Sequence, residues 1–225
     1  MTELTSRFTQ AVEYARVAHR GQTRKGTTIP YTSHLLAVAS LVLEHGGDED
    51  QAIAGLLHDV IEDCGANHEA VIRAQFGDGV AEIVVACTDG TAEGKKEHAD
   101  LEAKRLDWTR RKLAYLEHLG ETPTRMLLVS GCDKLHNARS ILIDMEDRNV
   151  GTKVFSRFTG GREGTLANYQ SLANIFSRRG SPVAAQLESV VARMHKLAGD
   201  AVREPLLPPR ATGERDVVTE DRLRG

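Results

Sequence analysis

At 225 residues the chain can bury a sizeable core, and its net charge of −3 argues against the broad positive surface that neutralises a nucleic-acid backbone. Aromatic residues make up only 4% of it, few for a base-stacking platform, and no apolar run approaches the ~20 residues needed to span a bilayer. Cys64, Cys87 and Cys132 lie far apart and fit neither a disulfide framework nor a paired-cysteine zinc site; with no signal-peptide pattern in Met1 to Gln10, the expected location is the cytoplasm.

Helical periodicity runs along almost the whole chain. Leu4, Phe8, Val12, Ala15 and Ala18 recur every three to four residues, which predicts an amphipathic helix stopping near Gly21. The next stretch, "HRGQTRKGTTIPY", is basic and broken by glycine, proline and threonine, so it reads as a turn. Thr32 or Ser33 can cap a second helix running to Gly46-Gly47. Asp48 with Gln51 has the form of a capping box and opens a third helix, which the pattern carries through "GLLHDVIEDC" to Cys64. Short helices are expected around Glu69 to Phe76 and Val80 to Ala86. From Thr88 to Arg105 the chain is charged, and its first half reads as an exposed loop. Helix resumes to Leu119, restarts at Thr122-Pro123 with proline at the first position, and continues past Asp144. Two more helices are suggested by Leu166 to Phe176 and Pro182 to Leu197. Residues 200–225 turn to proline and charge and are expected to form a loosely held tail. The fold class is all-α.

The segment "GLLHDVIEDC" poses a conflict, because it sets an imidazole and three carboxylates among apolar residues. On a helix, with His58 at zero, Glu62 falls near ~40°, Asp59 near ~100° and Asp63 near ~140°, while Leu56, Leu57, Val60 and Ile61 fill the opposite sector. A solvated face would explain the polar side, but such faces usually carry Lys and Arg, and here no cation on the helix pairs the acids. Three carboxylates gathered this way raise each other's pKa, and a divalent metal would remove the conflict. Further ligands must then come from elsewhere. His34 stands in the first turn of the preceding helix, where it is also an ordinary polar residue. In "CDKLHNARSIL", Asp133 and Asn137 are four apart and share a face, which equally describes an ordinary amphipathic helix. The other histidines, His19, His45, His68, His98, His118, His136 and His195, show no partner pattern.

The order His34, His58-Asp59, Asp133 matches the His…His-Asp…Asp signature of the HD-domain phosphohydrolase superfamily. More narrowly, "AHRGQTRKGTTIPYTSH", "LLHDVIED" and "DKLHNAR" resemble the successive motifs of the hydrolase domain of bifunctional alarmone synthetase-hydrolases, which make and destroy (p)ppGpp. The resemblance runs from about Phe8 to Asp144, and the length is that of a stand-alone small alarmone hydrolase. It implies an HD-domain helical bundle over residues 1–199 with additional C-terminal helices. The implied activity is hydrolysis of the 3′-diphosphate of ppGpp or pppGpp to pyrophosphate and GDP or GTP. It also implies one Mn²⁺ held by His34, His58, Asp59 and Asp133, a catalytic acidic pair in Glu62 and Asp63, and nucleotide contacts from Arg24, Lys25 and Asn137. The expected partner is thus a small nucleotide, with no nucleic acid and no membrane. Two alternatives stay open: hydrolysis of another nucleotide, and a catalytically silent domain that binds an alarmone. Cys132 stands where the family has alanine, and in "TLANYQSL" only Tyr169 keeps the aromatic character of a Trp-Tyr-Tyr run.

Overall fold

In a computed structural model that describes residues 2–88 and 100–208, ten α-helices and one 3-10 segment make up the regular structure, with no strand among the described residues. Helix α1 (Ser6–Ala18) is capped by the Thr5 hydroxyl, which accepts the Arg7 amide at 3.2 Å. The basic turn after it closes on itself: Arg24 donates its amide to Ile29 at 2.8 Å, Tyr31 donates to Gln22 at 3.0 Å, and Thr23 pairs with Pro30 in an isolated bridge. Helix α2 (Thr32–Glu44) therefore starts at Thr32 itself. Tyr31 is already in right-handed helical geometry, and neither Thr32 nor Ser33 acts as the expected side-chain cap.

Helix α3 (Glu49–Leu57) opens on the expected capping box, with both the Asp48–Gln51 and Gln51–Asp48 bonds present. It does not run through to Cys64. The helix breaks at His58-Asp59 and resumes as α4 (Val60–Cys64), because the His58 Nδ1 bonds the Gly55 carbonyl at 2.9 Å and competes for the acceptor that the residue-59 amide would use. The apolar side of the wheel survives the break, and Leu56, Leu57, Val60 and Ile61 are all buried. Helices α5 (His68–Phe76) and α6 (Asp78–Cys87) follow as expected. The loop expected over 89–99, with His98, lies outside the described residues.

Helix α7 (Leu101–Glu121) begins at an Asp100 cap. Helix α8 (Thr124–Glu146) has Pro123 at its N-cap, one place earlier than the sequence suggested, and runs through the centre of the molecule, packed on α2, α3 and α6. A 3-10 segment (Gly151–Arg157) that the sequence did not reveal is tied back by Arg157 to Asp144 at 2.5 Å. Helix α9 (Gly161–Arg178) starts five residues before Leu166, and α10 (Ala184–Ala198) packs with it on α8. Trp108 of α7 is seated on α9: a Cβ at Gly160 would lie 2.6 Å from its ring, and one at Gly164 3.1 Å away. The tail is not loose at its start. His195 Nδ1 hydrogen-bonds Asp200 at 2.8 Å, Arg203 pairs with Glu188 at 2.6 Å, and the Leu206 amide donates to Ala167 and to the Ser171 hydroxyl. Residues 209–225 lie outside the described residues.

The core is one cluster, and its larger members, such as Leu35, Ile53, Leu56, Leu57, Leu135 and Phe176, are fully buried. Each contributes roughly 1.5–3 kcal/mol on removal from water. Gly131 on α8 is part of this fit, because a Cβ there would stand 2.7 Å from Val183 Cγ2 and 3.3 Å from the Phe176 ring. Val183 is fully buried and cannot give way. Gly131→Ala should therefore cost about 1–2 kcal/mol net, overpacking outweighing the ~1 kcal/mol gain in helix propensity, and lower the melting temperature by about 2–6 °C in a thermal unfolding scan.

Candidate metal centre

Three elements bring four side chains to one point. The first turn of α2 delivers His34, the α3–α4 break delivers His58 and Asp59, and the middle of α8 delivers Asp133. His34 Nε2 lies 3.5 Å from Asp59 Oδ2 and 3.2 Å from Asp133 Oδ1; His58 Nε2 lies 3.0 Å and 3.5 Å from the same two oxygens. The ligand atoms of His34, His58 and Asp59 all fall within 4.8 Å of one another. Imidazole nitrogens and carboxylate oxygens thus alternate around a ring. Ligand atoms about 2.1–2.2 Å from an ion and at right angles to each other stand roughly 3.0–3.1 Å apart, so the observed spacings suit neighbouring positions around one divalent ion.

The hydrogen bonds agree. Both Nε2 atoms are buried and make no hydrogen bond, although carboxylates stand beside them. His58 donates its Nδ1–H to Gly55, so Nε2 is the nitrogen that would offer its lone pair to a metal once its proton is displaced. His34 Nδ1 meets His136 Nδ1 at 2.8 Å, and burial lowers the His136 pKa to about 4, so His136 is neutral and can accept from His34. The two carboxylates are also fixed. Tyr31 donates its hydroxyl to Asp59 Oδ2 at 2.6 Å; Asn137 Nδ2 donates to Asp133 Oδ1 at 2.5 Å, and Lys134 Nζ to Asp133 Oδ2 at 2.5 Å.

Burial disfavours the charged form at each of these sites, and the partners overcome it. The His58 imidazole is pushed down by burial but held well above its ordinary pKa by the Asp59 and Asp133 carboxylates. Asp59 and Asp133 are pushed up by burial and held well below the usual carboxylate range, Asp59 chiefly by His58 and Asp133 chiefly by Lys134. Lys134 is likewise penalised by burial and held well above the usual lysine value by Asp133.

Beside this centre lies a cleft of two lobes that share Lys25, Asn137, Ile141, Phe158 and Tyr169 as a common wall. The more apolar lobe, about 530 Å³, is lined by Arg24, Tyr31, Ile29 and His136 as well. The basic lobe, about 430 Å³, adds Glu62, Lys134 and Thr165, with Lys104, Arg111, Lys112 and Trp108 from α7. Arg24 Nη2 donates to Asn137 Oδ1 at 2.6 Å, so the basic turn reaches the ligand Asp133 through one amide. Asp63 stands apart from the lining of both lobes and accepts from Gln22 Nε2 at 3.5 Å. Sequence reasoning missed three contributors. His136 follows Asp133 by three residues, a spacing that puts both on neighbouring helix positions and was there to be read. Lys134 and Tyr31 gave no such signal, because one is the next residue along the helix and the other bonds across elements. His19, which showed no partner pattern in the sequence, is buried and stacks on Tyr31 with ring centroids 5.0 Å apart.

A family model described as "HD domain" matches residues 11–166. The chain is 29% identical over 186 residues to a guanosine-3′,5′-bis(diphosphate) 3′-pyrophosphohydrolase of Drosophila melanogaster, covering 78% of this chain and 96% of the relative. The Xenopus tropicalis protein of the same description is 33% identical over 135 residues, 59% of this chain and 68% of the relative. The bifunctional (p)ppGpp synthase/hydrolase SpoT of Escherichia coli is 33% identical over 135 residues, 60% of this chain, which spans only 18% of that longer protein. Among solved structures, one of a metazoan ortholog of SpoT superposes with a TM-score of 0.62 at 23% identity, covering 88% of this chain and 99% of the other, a likeness of fold.

Binding of a divalent ion here would be coupled to proton release. In the metal-free protein His58 holds a proton at neutral pH while Asp59 and Asp133 are already ionised, so an incoming ion displaces the His58 proton. Below the raised His58 pKa, metal affinity should fall by about tenfold for each pH unit, and calorimetry in buffers of different ionisation enthalpy should count close to one proton released. A pH-independent affinity would contradict this assignment.

Proposed function

This chain belongs to the HD-domain family, and on that footing we propose that it hydrolyses the 3′-diphosphate of ppGpp or pppGpp, releasing pyrophosphate and GDP or GTP. The observation that carries the reading is the ring of His34, His58, Asp59 and Asp133 set against a cleft with Arg24, Lys25 and Asn137 in its walls. Relatives bearing the 3′-pyrophosphohydrolase description support it, one of them matched along nearly its whole length. We take residues 1–199 as a single phosphohydrolase domain acting in the cytoplasm, with a nucleotide rather than a nucleic acid as its partner.

The four ligands would hold one divalent ion, read here as Mn²⁺ from the family resemblance, since two imidazoles and two carboxylates suit several ions. Such an ion supplies Lewis-acid charge beside the attacking water and the phosphoryl oxygen. The protein does the rest. Tyr31, Lys134 and Asn137 hold the ligand carboxylates in place. Glu62, in the wall of the basic lobe, accepts a proton from the attacking water, and Asp63, beside Gln22, supports its orientation. The water oxygen bonds to the phosphorus nearest the ribose, the bond to the 3′-oxygen breaks, and that oxygen leaves with the electron pair and takes up a proton. Arg24 and Lys25 offer fixed positive charge to the nucleotide, and Arg24 must exchange its bond to Asn137 for one to the substrate.

Purified protein incubated with ppGpp and Mn²⁺ should yield GDP and pyrophosphate, and a chelator should stop the reaction. Faster turnover of an unrelated nucleotide would reassign the substrate. Changing Glu62→Gln and Asp63→Asn together should leave metal binding intact and reduce turnover by about 100-fold or more. Unaltered turnover would remove the pair from the mechanism.

A further inference from the structure

Lys134 touches one of the four side chains of the centre directly, and holding Asp133 does not exhaust what its position allows. Its Nζ is 2.5 Å from Asp133 Oδ2, whereas Oδ1 is the oxygen that faces the two histidines. The ammonium also lies 4.9 Å from the centroid of the Tyr115 ring, a buried side chain of α7. Held between a carboxylate and an aromatic face, with its side chain 18% exposed, it cannot swing away into solvent. Yet it is not sealed in, because it forms part of the wall of the basic lobe together with Glu62, Lys25 and Asn137.

An ammonium has three N–H donors. Asp133 takes one and the Tyr115 face is approached by the charge, which leaves donor capacity on a residue that lines the lobe. A lysine kept only to neutralise a buried carboxylate has no need to open onto a cavity, and this one opens beside the acid assigned to the attacking water. A phosphoryl group seated at the four ligands therefore has a fixed cation at its flank. We propose that Lys134 is a phosphate-binding residue: its ammonium donates to a non-bridging oxygen of the phosphoryl group under attack, and afterwards to the diphosphate released. This deepens the phosphohydrolase reading and rests on it. As the bond from water forms and the bond to the 3′-oxygen breaks, the negative charge spread over the phosphoryl oxygens meets a charge that needs no reorganisation.

The test uses inorganic pyrophosphate as the probe on the full chain with Mn²⁺ held saturating, and Mn²⁺ affinity measured separately. Lys134→Met should weaken pyrophosphate binding about tenfold or more and lower kcat about 100-fold or more, while Lys134→Arg, which keeps the charge, should hold pyrophosphate within about threefold of the natural protein. Should the methionine variant not fold, Lys134→Gln is compared in the same way. Equal pyrophosphate binding in the neutral variant and the natural protein, or a loss that disappears once Mn²⁺ saturates, would overturn the proposal by reducing Lys134 to a support for Asp133. So would a natural protein that binds no pyrophosphate. A protein that binds pyrophosphate through Lys134 but leaves ppGpp intact would instead sink the alarmone reading and leave this one standing.

Discussion

Two imidazole nitrogens and two carboxylate oxygens, alternating around a ring of 3.0–3.5 Å edges, impose the constraint on which the rest of this molecule turns. Such a ring is costly to assemble in a buried place unless positive charge is brought to it. The fold supplies some of that charge from its own side chain Lys134, and the unpartnered imidazole nitrogens are those a divalent ion would take. Helices α2, α3 and α8 pack against one another around this point, so the apolar contacts that stabilise the bundle are the same ones that set the ligand spacing.

The centre is also wired to the cleft. Asn137 binds a ligand carboxylate with its amide nitrogen and Arg24 with its amide oxygen, so an arginine on a surface turn and an aspartate at the metal site share one side chain. Displacing Arg24 from Asn137 would therefore alter the hydrogen bonding of Asp133 from a distance. Whatever engages Arg24 and whatever engages Asp133 would be linked through that amide, and linkage of this kind acts equally in both directions.

Much of this was legible in the sequence. The resemblance carried by the order His34, His58-Asp59 and Asp133 singled out the four side chains that meet at the centre, and the helices were marked by a 3.6-residue period and by caps such as Asp48–Gln51. What could not be read has physical causes. The break between α3 and α4 leaves the apolar period intact, because it comes from a side chain competing for a backbone carbonyl and not from a glycine or proline. The early start of α9 lies in a glycine-rich run that reads as a breaker. Lys134 is adjacent to Asp133 and on helix geometry should point some 100° away; only the length of its stem lets it return. The beginning of the tail looked unstructured by composition, yet backbone bonds from Leu206 to α9 secure it.

Trp108 is the single tryptophan of the chain, bedded on Gly160 and Gly164 at the start of α9 and bordering the basic lobe. The indole emission of the whole protein thus originates at one spot, on the border of the basic lobe. The molecule carries its own optical gauge of occupancy, and ligand arrival can be followed in an unlabelled sample.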